Sequence, residues 1–265
     1  MNRLMMIFAL GLLAAMPATA QDWAKAKLEK SPRHMEYVKL KHDGREVETF
    51  VVYPEVKNKA TAVVLIHEIF GLSDWVRSMA DELAEAGYIA IAPDLLSGMA
   101  PKGGGSQELG QQGSVRMISN LKPEQITADL NAAVDYASKL PACNGKVAVA
   151  GFCWGGGQSF RFATNNKAVK EFFVFYGPGP DTDSAAARIN APVYGFYAGN
   201  DARIGATVPG TEEMMKKAGK KYEAKTYEGA GHGFMRAGEA PDANEANKKA
   251  RDQAFARLKA LLKDL

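Results

Sequence analysis

The chain has 265 residues, with 33 Lys and Arg against 30 Asp and Glu, giving a formal net charge of +3. The two signs are interspersed, so a nucleic-acid partner is not expected, and two cysteines and four histidines without zinc-type spacing predict no metal site. Hydrophobic residues at 46% and charged residues at 24% exclude a disordered chain and leave room for a sizeable core.

Met1-Asn2-Arg3 is a short basic start, residues 4–16 are almost wholly apolar, and Ala18-Thr19-Ala20 is a small-x-small cleavage site. This predicts a signal peptide over residues 1–20 and a periplasmic or secreted chain beginning near Gln21. The apolar stretch is too short to span a bilayer comfortably, so no membrane attachment is expected after cleavage. Residues 21–36 read as a charged leader and residues 37–265 as one domain, expected to be a monomer.

Alternation around Asp43-Gly44 predicts a β-hairpin over residues 38–40 and 47–52. Ala62-Val63-Val64-Leu65-Ile66 is a continuous apolar run, as in a strand buried on both faces. A helix over residues 79–86 stops at Gly87, and the strand Tyr88-Ile89-Ala90-Ile91-Ala92 ends at Pro93. Residues 98–113 are rich in glycine and polar side chains without periodicity, and read as the longest loop. A helix over residues 123–140 follows, with Ile126, Leu130, Ala133, Val134 and Ala137 on one face. Strands at 146–150, 172–176, 192–197 and 222–227 then alternate with helices near 158–163, 211–218 and 244–262. The alternation predicts an α/β fold, a mostly parallel sheet with helices on both faces and reactive groups at the carboxyl ends of strands.

Gly151-Phe152-Cys153-Trp154-Gly155 lies between a buried strand and a helix, and has the Gly-x-nucleophile-x-Gly pattern with cysteine at its apex. The open helix N-terminus behind it favours a thiolate or an adjacent oxyanion. Cys143 and Cys153 bracket the intervening strand. Ten mostly extended residues span roughly 25–30 Å, so no internal disulfide is expected.

A thiol nucleophile needs a base, and the base needs an orienting acid. His232 follows a strand within Gly229-Ala230-Gly231-His232-Gly233-Phe234, whereas His34 and His42 read as solvated surface residues. Asp201 in Tyr197-Ala198-Gly199-Asn200-Asp201 stands after a strand and between nucleophile and histidine. A plain helix or turn cap is the competing reading of Asp201, and Asp181 and Asp183 are weaker rivals. Oxyanion donors would be the backbone N–H of Trp154 and one from His67-Glu68-Ile69-Phe70-Gly71, where two ionisable groups at a buried strand end mark a site.

With Glu68-Ile69-Phe70-Gly71, Pro93-Asp94-Leu95, the cysteine elbow, Asp201, and Gly231-His232-Gly233-Phe234-Met235-Arg236, the sequence resembles the dienelactone hydrolase (carboxymethylenebutenolidase) family of α/β-hydrolases. The resemblance runs from about Tyr37 to the C-terminus. It implies Cys153 as nucleophile, His232 as base, Asp201 as its orienter, and the Ile69 and Trp154 N–H groups as oxyanion hole. It also implies that Glu68 holds the thiol at rest, and that Arg236 and, from the same region of the chain, Arg116 bind a substrate carboxylate. The expected activity is hydrolysis of a small lactone or carboxylic ester through a thioester, with no cofactor. The alternative is a non-enzymatic binding module or a thiol redox sensor.

Overall fold

The computed structural model describes residues 21–265. The expected signal peptide therefore lies outside the described residues. Helix α1 (Asp22–Glu29) leads into the hairpin β1 (Met35–His42) and β2 (Arg45–Val52). Asp43 and Gly44 both have positive φ, 46° and 74°, the backbone that a two-residue hairpin loop demands. Next come β3 (Ala60–Ile66), α2 (Asp74–Glu85), β4 (Ile89–Pro93), α3 (Ser106–Met117) and α4 (Pro123–Lys139). The second half runs β5 (Cys143–Phe152), α5 (Trp154–Ala163), β6 (Glu171–Phe175), α6 (Asp183–Ala187), β7 (Val193–Ala198) and α7 (Ala202–Gly205). It closes with α8 (Val208–Lys217), β8 (Tyr222–Tyr227), α9 (Phe234–Ala237) and α10 (Glu245–Lys263).

All eight strands form one sheet in the order β1-β2-β4-β3-β5-β6-β7-β8. Pairing is antiparallel at β1/β2 and β2/β4 and parallel from β4 onward. Alternate residues of the central strands feed two cores. Val63 and Leu65 pack with Trp75, Met79 and Leu83 of α2 and Phe255 and Leu258 of α10. Val64 and Ile66 pack on the opposite face with Ile126, Leu130 and Val134 of α4 and Phe160 of α5. Each large apolar side chain so buried contributes about 1.5–3 kcal/mol, and this continuous burial is why β3 lacks the alternation of a half-exposed strand.

Two expectations need correction. The glycine-rich stretch is not one loop, because its second half is α3. Gly110 (φ 63°, ψ 178°) breaks the helix and so erases the period from the sequence, while tertiary bonds hold its start. There the Asp94 carboxylate accepts from the Ser106 N–H and Oγ, both at 2.6 Å. His42 is not a solvated surface residue, since its Nε2 lies 2.7 Å from Oδ1 of buried Asp129 on α4, which Arg45 also binds. The leader is docked on the fold: Ala24 is buried, Trp23 and Leu28 pack on the α2 face, and Arg33 grips Asp81 through Nε and Nη2 at 2.6 and 2.7 Å.

Candidate active site

The parallel strands end along one edge, and the chain turns there place the reactive side chains. Cys153 caps α5 with φ 56° and ψ −118°, a strained conformation for a residue with a Cβ. Its N–H donates to the Phe175 carbonyl at 3.0 Å, which holds the apex against β6. The flanking glycines are needed for close approach. A Cβ on Gly151 would collide with the Gly155 carbonyl, and one on Gly155 with the Ile66 and His67 carbonyls.

Asp201 follows β7 and His232 follows β8, so the parallel pairing of these strands brings the two loops side by side. The Asn200 N–H donates to the Ala230 carbonyl at 2.9 Å and its Nδ2 to Gly229 at 3.1 Å, while Asn247 accepts the Gly231 N–H at 2.8 Å. Nδ1 of His232 lies 2.5 Å from Asp201 Oδ2, and its Nε2 lies 3.1 Å from Cys153 Sγ. The other Asp201 oxygen accepts the Ile204 N–H at 3.3 Å. Asp201 thus both caps α7 and bonds the imidazole of His232.

The loop after β3 supplies the opposite wall. Buried His67 donates from Nδ1 to the Glu68 carbonyl at 2.7 Å and accepts the Leu95 N–H on Nε2 at 3.3 Å. Burial pushes its pKa down, in keeping with a neutral ring. Its ring stacks on Trp154 with centroids 5.6 Å apart. The backbone N–H groups of Trp154 and Ile69 face the Cys153 sulfur. Both favour a thiolate, but burial first and the Glu68 charge second push the thiol up. At rest the sulfur is therefore protonated near neutral pH.

Glu68 is buried and bonded to Arg236, whose Nε donates to its Oε2 at 2.7 Å. Burial raises the Glu68 carboxyl, and Arg236 and His232 pull it back. No Glu68–Cys153 hydrogen bond is present among the described residues, because the guanidinium takes the carboxylate and the sulfur turns to His232.

Cys153, Ile69, Trp154 and His232 open onto a cavity of about 900 Å³. Tyr176 lines it too, one residue past β6 with φ 40°. Its edge meets the His232 ring at 5.1 Å. Neither predicted carboxylate-binding arginine is among the lining residues. Arg116 is exposed on α3, and Arg236 stands behind the site in its pair with Glu68. Arg161, Arg188 and Arg203 line the cavity instead, and sequence reasoning missed all three. Only Arg203 carried a signal, as the second residue after the orienting acid. No group of three or more metal-ligating side chains and no helix long and apolar enough to cross a membrane occurs among the described residues.

Residues 47–265 match the dienelactone hydrolase family. The chain belongs to that family. A Saccharolobus solfataricus protein named "putative carboxymethylenebutenolidase" is 30% identical over 253 residues, which cover 83% of this chain and 95% of that protein. A Methylorubrum extorquens protein of the same name is 31% identical over 209 residues, covering 74% and 71%. Among solved structures, a dienelactone hydrolase from Anabaena variabilis superposes with a TM-score of 0.63 at 19% identity, covering 84% of this chain and 96% of that one. A dienelactone hydrolase-like promiscuous phosphotriesterase from metagenomic libraries gives 0.74 at 19% identity, covering 88% and 98%. At such identities the structures bear on the fold alone, which is that of the α/β-hydrolases. Against the expectations drawn from the resemblance, the residues that depart are Glu68, which bonds Arg236 and not the thiol, and Arg116 and Arg236, neither of which lines the cavity.

Proposed function

We propose that this chain hydrolyses a small lactone or carboxylic ester through an acyl-cysteine intermediate. The observation that carries the reading is the relay from Asp201 through His232 to Cys153, at 2.5 and 3.1 Å, at the wall of a ligand-sized cavity. His232 Nε2 takes the thiol proton as Cys153 Sγ attacks the substrate carbonyl carbon. The oxyanion forms beside the Ile69 and Trp154 N–H groups, which are fixed before reaction and so need no reorganisation. Collapse breaks the bond to the leaving oxygen, which takes the proton from His232 and leaves a thioester. Water then gives its proton to His232 and attacks the thioester carbonyl. The acid departs and the thiol regains its proton.

Because the resting sulfur is protonated, deprotonation belongs to the attack step. A neutral thiol also oxidises more slowly than a thiolate, which suits a free cysteine beside an open cavity.

The test is hydrolysis of aryl esters and small lactones by the wild-type chain and Cys153→Ala. Loss of at least about 10³-fold in kcat/KM is expected, with an acyl-enzyme mass adduct on wild type alone. Full activity in Cys153→Ala would overturn the reading.

A further inference from the structure

The two N–H groups that face Cys153 Sγ are held by different means. That of Trp154 opens α5, and the close glycine packing around the elbow fixes it. That of Ile69 stands on a turn outside any helix or strand, closed by the Gly71 N–H donating to the Glu68 carbonyl at 3.2 Å. One turn bond leaves such a segment free to tilt, so the aim of its outward N–H has to come from the side chains around it.

Two tethers hold this turn, and both run to the segment after β4. On its N-terminal side, His67 bonds the Glu68 carbonyl through Nδ1 and accepts the Leu95 N–H on Nε2. On its C-terminal side, the Leu72 N–H donates to Ser106 Oγ at 2.9 Å, and that hydroxyl donates its own proton to Asp94 Oδ1 at 2.6 Å. A hydroxyl that donates to an anion is polarised and becomes a better acceptor, so the Asp94 charge tightens the grip on Leu72. Asp94 is itself fixed, because Oδ2 accepts the Ser106 N–H at 2.6 Å and Oδ1 also accepts the Leu96 N–H at 3.0 Å. Both residues are buried. The fit against the turn is close: a Cβ on Gly71, where φ is 73°, would lie 2.0 Å from Ser106 Oγ.

We infer that Ser106, polarised by Asp94, is a positioning residue for the oxyanion hole, fixing the turn so that the Ile69 N–H meets the oxygen of an adduct on Cys153. This rests on the hydrolase reading and goes beyond it, since it names what holds one of the two donors. Ser106 acts through the turn alone, because it does not line the cavity that holds Cys153. It is also the first residue of α3, so the docking of that helix and the aim of the hole are one event.

The test compares kcat/KM for 4-nitrophenyl acetate with that for its thiono analogue, in which sulfur replaces the carbonyl oxygen. Sulfur is a weak acceptor and gains less from the hole, so the ratio of the two rates reads the donors. Both rates come from one preparation, so any unfolded fraction cancels. Ser106→Ala should lower the ratio about tenfold, less than outright loss of a donor costs. Asp94→Asn, which cannot accept all three bonds, should move it the same way. Propanal gives a readout without turnover. It adds reversibly to Cys153: the Sγ–C bond forms, and the thiol proton passes through His232 to the carbonyl oxygen, which rests in the hole. Its protection of Cys153 from iodoacetamide should need about tenfold more propanal in Ser106→Ala. That shift without any ester turnover by wild type would sink the hydrolase reading and keep the role of Ser106. Ester turnover with the ratio and the propanal affinity both unmoved in Ser106→Ala would overturn the role of Ser106 alone.

Discussion

Glu68 and Asp129 are two buried carboxylates in nearly the same chemical company, an arginine and a histidine, yet they sit in regions with different work. Asp129 takes Arg45 on both oxygens and His42 on one, and ties α4 to the antiparallel edge hairpin. Glu68 has one arginine nitrogen, and its neighbours are the Cys153 thiol and His232. Burial pushes both carboxyls up, and their cations pull both back. A buried ion pair therefore marks a place that the fold had to stabilise, and only the neighbours say whether that place reacts.

The comparison can be broken on each side. Beyond removal of the nucleophile, the largest effect expected is Asp201→Asn, with kcat/KM for aryl esters down about 10²–10⁴-fold, because the imidazole loses its orienting acceptor. Thermal unfolding should move little, since the α7 cap can still form through the remaining oxygen. Asp129→Asn should do the reverse. It leaves Arg45 without its buried charge partner and should lower stability in urea by about 2–4 kcal/mol, at unchanged turnover per folded molecule. A large loss of kcat without unfolding would show that the hairpin staple reaches the site.

Glu68→Gln should give the subtlest change and the most specific one. Its negative charge raises the thiol pKa, so removing it lowers that pKa. Plotted against pH, the iodoacetamide reaction of Cys153 should rise at lower pH than in wild type, with faster alkylation at neutral pH. An unmoved profile would leave burial as the whole cause of the quiet thiol.

Much of this was legible in the sequence. The apolar face of α4 was readable from Ile126 to Ala137 because it repeats at helical spacing. The relay was readable because Cys153, Asp201 and His232 each stand just past a strand, and parallel strands deliver their ends to one edge. α3 was hidden because its start depends on Asp94, twelve residues upstream, and its period breaks at Gly110. The role of His42 was hidden because its partner lies 87 residues away. The three arginines that line the cavity were hidden because Arg161, Arg188 and Arg203 come from three separate segments that only the fold brings to one opening.

Lys27 on α1 bridges Glu82 and Glu239, and both acids also bind Arg251 of α10. The first described helix is thus anchored on charges contributed by the last tenth of the chain. During synthesis, which proceeds from the N-terminus, α1 and α2 emerge long before Glu239 and Arg251, so Lys27 and Glu82 must wait for the rest of their charge cluster. A product released before residue 251 would therefore keep α1 beside α2 but lack the arginine that ties Glu82 and Glu239 together beneath Lys27.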